Sequence, residues 1–169
     1  MKTVYLIRHA KSSWDNVDCD DYQRPLNRRG KKNAQEMGER LSVAGIKPDF
    51  IVSSPAKRAR ATARRIAKSI GYPKKEIVYN RNLYLSDRDT YLDIMVDYLH
   101  QVQSIAIIGH NSAITDLAEY LTGETYENIV TCGVVALSVQ YSEKNALPLP
   151  LKCLFYDYPK NTQRPLSLG

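Results

Sequence analysis

Short apolar runs alternate with amphipathic segments from residue 2 to about residue 122, and no other feature limits the fold as strongly. The runs fall at residues 4–7, 49–53, 76–79 and 104–108. Runs of this length suit strands buried on both faces. Between them, apolar residues recur at spacings of three and four. Ala34, Met37, Leu41 and Ala44 form one such set, and Ala59, Ala63, Ile66 and Ile70 a second. Leu92, Met95, Val96 and Leu99 form a third, and Ile114, Leu117, Ala118 and Leu121 a fourth. That is the period of a helix with one packed face. Asn27 reads as the cap of the first helix and Gly45 as its stop. Ser54 reads as the cap of the second, with Pro55 in its first turn and Gly71 and Pro73 ending it. Gly123 stops the fourth.

Strands alternating with helices imply an α/β chain, a three-layer α/β/α stack around a mostly parallel sheet. Residues 134–141 and 151–156 break the alternation. They read as two strands joined by a polar, proline-bearing loop near a sheet edge. The length of 169 residues suits one domain. Residues 1–157 are read as that domain and 158–169 as a tail, extended or loosely docked.

The hydrophobic fraction of 43% and charged fraction of 25% are those of an ordinary globular protein. The net charge of +6 favours anionic partners without choosing among them. Cys19, Cys132 and Cys153 are odd in number and match no zinc spacing. With no signal peptide and no apolar run long enough to span a membrane, the reading is a reducing cytoplasm with free thiols. His100 closes a predicted helix and reads as a surface residue. No HxxxH spacing accompanies His9 and His110, so neither a metal nor another cofactor is expected.

The first strand breaks abruptly into Arg8-His9. In an open α/β sheet, ligands gather beyond the carboxyl ends of the strands. If the strands are parallel, three polar clusters share that edge. They are Arg8-His9, Ser53-Ser54 with Arg58 one turn into the next helix, and Gly109-His110. Arginine pairs its planar fork with phosphate oxygens and stays charged. Two helix N-termini add free N–H groups. The set describes a phosphate pocket, in which a histidine can serve as nucleophile, acid, base or donor. No Walker or GxGxxG loop is present. The cationic helix at residues 57–68 lacks aromatic interleaving, so nucleic acid is not favoured. Residues 11–29 form a long aperiodic connection carrying Asp15, Asp18, Asp20 and Asp21. Such loops are often functional. The lone Trp14 argues that part of it packs down.

Arg8-His9-Ala10, Ser53-Ser54-Pro55 with Arg58 and Thr62, and Gly109-His110-Asn111 resemble the histidine phosphatase superfamily, whose fold is phosphoglycerate mutase-like. The segment from Arg24 to Gly30, with Ala34, also looks like that family. The Arg-His-Ala-Lys-Ser opening and short length are most similar to the SixA-type branch of phosphohistidine phosphatases. The resemblance implies that His9 is the nucleophile that becomes phosphorylated. Arg8, Arg58 and a protonated His110 would hold the phosphoryl group. Ser12 would lie near the phosphate, with Asn111 beside it as a second substrate-binding residue.

Two departures stand out. Asp15 replaces an asparagine of larger members, and a carboxylate there would repel phosphate. The residues after the third strand, Asn82 to Asp87, lack the glutamate that serves many members as general acid. Asp18, Asp20, Asp21 and Asp87 are the available substitutes. A site without that acid should favour phosphoramidates, whose leaving group departs more easily than an alkoxide. The expectation is a metal-independent phosphatase acting on a phosphate-bearing substrate, phosphohistidine in a protein. The alternatives are a small-molecule phosphomonoesterase or mutase, or a non-catalytic phosphate-binding or phosphoprotein-binding module.

Overall fold

The computed structural model describes residues 1–142, 147–162 and 166. Side chains of β1 (Lys2–Arg8) leave its two faces alternately, Tyr5 and Ile7 into one apolar layer, Val4 and Leu6 into the other. β2 (Phe50–Ser53) and β4 (Ser104–Gly109) repeat the pattern. Ile51 and Ile108 join the first layer, Val52 and Ile107 the second. α1 (Arg28–Val43) and α2 (Lys57–Ile70) cover the first layer through Met37, Leu41 and Ile66. α3 (Arg88–Leu99) and α4 (Ala113–Thr122) cover the second through Met95, Ile114 and Leu117. Burying each such side chain contributes about 1.5–3 kcal/mol relative to exposure.

β3 (Val78–Tyr79), β5 (Val134–Val139) and β6 (Lys152–Asp157) complete a sheet of order β3-β2-β4-β1-β5-β6. β3, β2, β4 and β1 are parallel neighbours. β5 is antiparallel to β1, and β6 is antiparallel to β5. Only β5 therefore opposes the rest. The expected three-layer stack with a mostly parallel sheet holds, and the last two strands follow one another with no helix between them, breaking the alternation as expected.

Local boundaries moved for identifiable reasons. The third strand keeps only two residues, because Lys74–Glu76 curl into a 3₁₀ turn after Pro73. Ser54 is not the cap of α2. That helix begins at Lys57, with Ala56 at the capping position and no side-chain bond there. Ser54 Oγ accepts from the Ala56 N–H at 3.2 Å one step earlier. Asn27 does cap α1, its Oδ1 accepting from Gly30 N at 2.7 Å. Gly45 follows that helix at a φ of 71°, left-handed as a stop requires.

The long connection between β1 and α1 is closed at its base. Ser13 N donates to Pro25 O at 2.8 Å and Asn27 N to Lys11 O at 3.0 Å. Gly30 permits the closure, since a Cβ there would sit 2.0 Å from the Lys11 carbonyl oxygen. At the chain's other end, the Arg40 guanidinium pairs with Asp157 at 3.3 Å and receives the carbonyls of Tyr158, Pro159 and Asn161. Leu166 packs against the α1–α2 layer. The rest of the tail, residues 163–165 and 167–169, lies outside the described residues, as does 143–146 of the last loop.

Candidate active site

The register of the sheet brings the three predicted clusters together. Arg8 stands opposite Gly109, and His9 N donates to Gly109 O at 3.0 Å. Ser54 N donates to Ile108 O at 2.9 Å. The ends of β2, β4 and β1 are thus adjacent. The rings of His9 and His110 face each other with centroids 5.1 Å apart. Gly109 sets His110 in place. A Cβ at Gly109 would lie 2.4 Å from the Tyr91 hydroxyl, which instead accepts from His110 N at 3.0 Å and donates to Leu83 O at 2.6 Å.

His9 is 8% exposed, and its Nδ1 lies 2.7 Å from the carbonyl of Ala10. A carbonyl only accepts, so Nδ1 carries the proton and Nε2 keeps its lone pair. Burial pushes the His9 pKa down to about 3; the Ala10 bond opposes that, and His110, Arg58 and Arg8 add to it. The ring is neutral at pH 7. Its neighbour Ala10 is anchored to α2, Ala10 N donating to Thr62 Oγ1 at 3.0 Å and Thr62 Oγ1 to Arg58 O at 2.8 Å.

His110 corrects an expectation. Burial, then Arg58, pushes its pKa down to about 4, with only Asp21 pulling the other way ahead of Arg24 and Arg8. It is neutral, not protonated, because burial, and after it the guanidiniums around the ring, outweigh one carboxylate. Its Nε2 lies 2.8 Å from Ser54 Oγ. The tautomer in which Nε2 accepts the Ser54 hydroxyl proton carries the ring's own proton on Nδ1 and makes Nδ1 the donor.

Arg8 Nη1 donates to Ile129 O at 2.8 Å. Arg58 Nη1 donates to Asp21 O at 2.7 Å, and its Nη2 pairs with Asp21 Oδ2 at 3.1 Å. Arg8 Nε, Arg58 Nε and His110 Nδ1 have no partner, and they are the only such buried side-chain atoms among the described residues. An unsatisfied buried donor costs about 1–3 kcal/mol. Three of them around one cleft form a cradle for an anion's oxygens. The cleft holds about 410 Å³, ample for a phosphoryl group and its carrier.

Sequence reasoning missed Arg24 and Tyr84 as site residues and left Asp21 as one of four unranked carboxylates. Arg24 is buried, donates to Ser12 Oγ, pairs with Asp21 at 3.2 Å and stacks 3.6 Å over the Trp14 ring. Ser12 thus reaches the cleft as a partner of Arg24. Trp14 is 71% exposed, so it anchors through that stacking and not by burial. Tyr84 donates to Asp21 Oδ2 at 2.7 Å and lies edge-on to His110. Burial would raise the Asp21 pKa, but the Tyr84 hydroxyl, Arg58 and Arg24 outweigh it and hold it at about 2. Asp21 is therefore ionised and unfit as a general acid. Asp15, Asp18 and Asp20 are exposed, and Asp87 caps α3. Asn111 lines the cleft, yet its amide is committed to Asn128, Ile129 and Thr115. It braces the carbonyl that accepts from Arg8.

The histidine phosphatase superfamily (branch 1) model matches residues 4–83, the span holding Arg8, His9 and Arg58. That match places residues 4–83, 47% of the chain, in the histidine phosphatase superfamily. SixA of Agrobacterium tumefaciens, provisionally assigned as a phosphohistidine phosphatase, superposes with a TM-score of 0.81 at 26% identity, covering 94% of this chain and 98% of that one. A protein histidine phosphatase SixA bound to tungstate gives 0.76 at 20% identity, covering 93% and 97%. A 2,3-bisphosphoglycerate-dependent phosphoglycerate mutase of Brucella ovis is 32% identical over 90 residues, 52% of this chain. The chain spans 66% of the first curated relative it matches and 43% of that mutase. Within the superfamily, the chain sits with the SixA-type structures.

Proposed function

We propose that this protein is a phosphatase that passes a phosphoryl group through His9 and acts on phosphohistidine in proteins. The observation that carries the reading is the cradle. A neutral imidazole with a free Nε2 shares its cleft with three unpartnered buried donors on Arg8, Arg58 and His110.

The chemistry follows from those groups. His9 Nε2 attacks phosphorus in line as the P–N bond of the substrate breaks. A phosphohistidine protonated on its far nitrogen leaves as neutral imidazole and asks for no acid. That suits a cleft whose one lining carboxylate, Asp21, stays ionised. Water then attacks the phosphoenzyme as the P–Nε2 bond breaks, its protons going to the released phosphate, and His9 returns with Nδ1 still protonated and donating to the Ala10 carbonyl. Charge from Arg8 and Arg58 offsets the equatorial oxygens in both steps, as phosphoryl transfer requires. The names of the SixA neighbours favour the same substrate class. The mutase similarity favours a second reading, turnover of small phosphate esters.

The test is brief exposure to labelled phosphoramidate. The expected result is an acid-labile, alkali-stable label absent from His9→Ala, and hydrolysis of a phosphohistidine peptide with or without EDTA. Faster turnover of 3-phosphoglycerate or glucose 6-phosphate than of the peptide would transfer the assignment to the second reading. No turnover of any phosphodonor would leave a binding module.

A further inference from the structure

The charge of this molecule is divided between its two helical layers. Residues 28–76, which include α1 and α2, carry fourteen Lys and Arg against four carboxylates. Residues 82–128, which include α3 and α4, carry eight carboxylates against one Arg. The net charge of +6 is therefore concentrated on one face.

That face has a groove. A space of about 690 Å³ runs between α1 and α2, lined by Lys57, Arg60, Arg64, Arg65, Lys68 and Lys74. Lys57, Arg60, Arg64 and Lys68 are exposed and spaced three and four apart, so they form one stripe along α2. Among the described residues no carboxylate comes within ion-pair distance of any of the six. The carboxylate on the groove wall, Glu39, already accepts from Gln35 at 3.0 Å. The two helices are pressed close below the groove, where a Cβ on Gly38 would lie 2.8 Å from Ser69. The stripe begins at Lys57, the residue beside Arg58 of the cleft, and runs ~16 Å down the helix.

We infer that this groove is a docking site for an acidic segment of the phosphorylated partner protein, lying next to the phosphohistidine it presents to the cleft. The inference rests on the phosphatase reading for its choice of partner. Cations that have apolar stems and no carboxylate partner attract carboxylates and raise encounter rates. No aromatic side chain interleaves with the cations along α2 itself, and the Tyr79 ring beside them is covered by the Arg60 guanidinium at 4.4 Å, which favours a protein over a polynucleotide.

The probes are a phosphohistidine peptide, the same peptide with an acidic extension of about eight residues, and phosphoramidate. At ~3.3 Å per residue that extension exceeds the groove. The extension should lower KM by about tenfold with kcat unchanged, and about 0.5 M NaCl should erase the gain. The variant R60E/R64E/K68E should lose the gain and hydrolyse phosphoramidate at the wild-type rate. Fluorescence anisotropy with the unphosphorylated acidic peptide and His9→Ala protein reads the groove independently of chemistry, so a failed phosphatase reading and a failed docking reading give different results. No effect of the extension, or a gain that survives the charge reversal, overturns the docking site. Displacement of the acidic peptide by an equally charged oligonucleotide at lower concentration would also overturn it. So would salt-sensitive self-association, through a partner copy's α3–α4 face, that the triple variant abolishes.

Discussion

The two walls of the cleft are built differently. One wall consists of strand ends. Arg8, His9 and His110 leave β1 and β4 at positions fixed by ladder hydrogen bonds, and the Ala10 carbonyl and Tyr91 hydroxyl fix the orientation. Its one charge, on Arg8, has no carboxylate within ion-pair distance among the described residues. The other wall consists of loops. Asp21, Arg24 and Tyr84 come from two connections with short 3₁₀ turns, Asp21–Gln23 and Arg81–Leu83, and hold one another through their side chains. Arg58, at the start of α2, faces both. The strand-end wall carries unsatisfied donors, while the loop wall has already answered its own charges. Chemistry should therefore be concentrated on the first wall, and the second should tune it.

The comparison fails at once if His9 is dispensable. His9→Ala should lower kcat with phosphoramidate by about 10⁴-fold or more, because a nucleophile has no substitute in the cleft. Circular dichroism should show the fold intact. Arg58→Ala comes next, at about 10²–10³-fold in kcat/KM, the scale for losing one preorganised charged donor. Arg58→Lys should recover little of that, since an ammonium cannot present the same fork. An equal loss from Arg24→Ala would show that the walls do not differ.

The pH response sharpens the same contrast. The pKa of His9 is pushed down to about 3 and that of His110 to about 4, while an unfolded histidine sits near about 6.5. Below pH ~6.5 the unfolded chain binds protons that the folded chain refuses. Their contribution to stability is complete above that pH and is lost as the pH falls toward 4 and then 3. The midpoint of thermal unfolding should fall more steeply with acid in wild type than in H9N/H110Q. Inorganic phosphate should flatten the fall, because a dianion in the cradle lets His110 accept its second proton. The kcat/KM profile of the unliganded enzyme should lack a step near pH 6.5. A step there would show at least one ring to be an ordinary exposed histidine.

The difference between the walls is also the difference between what was legible and what was not. Apolar runs ending in Arg-His, Ser-Ser and Gly-His announce both the strand and the point where it stops. Parallel pairing then places three ends side by side. The loop wall sends no such signal. Arg24 comes to Ser12 only because residues 11–13 and 25–27 close on each other, and that pairing has no periodicity to reveal it. Tyr84 is turned inward beside Leu85, whose φ of 52° is a left-handed conformation that a glycine would usually mark. Ser54 misled for a related reason. A serine before proline looks like a cap, but here the hydroxyl is taken by His110 and the helix starts later. The neutral state of His110 is not legible in sequence, because it depends first on burial and then on three arginines, one of them on the loop wall.

Tuning by the loop wall should appear in product release before it appears in chemistry. Asp21 holds Arg58 and Arg24, and it is the carboxylate that raises the pKa of His110. Asp21→Asn removes that competitor. Inorganic phosphate should then inhibit about five- to tenfold more tightly, the scale of one partly exposed charge pair with two arginines. With release slowed, kcat should fall while KM falls with it. Tyr84→Phe leaves the carboxylate in place and removes one hydrogen bond to it. Burial, then the Asp21 bond and its charge, push the Tyr84 pKa up to about 12, so the hydroxyl is a donor at every working pH. Its loss should loosen Asp21 from Arg58 and shift phosphate inhibition in the direction of Asp21→Asn, by about two- to threefold, as one partly exposed hydrogen bond is worth. Phosphate titrations of the two single variants and of D21N/Y84F separate the alternatives. If Tyr84 acts only through Asp21, the double variant should match Asp21→Asn alone. Additive shifts would mean that Tyr84 touches the phosphate itself, and the two walls would then share the substrate.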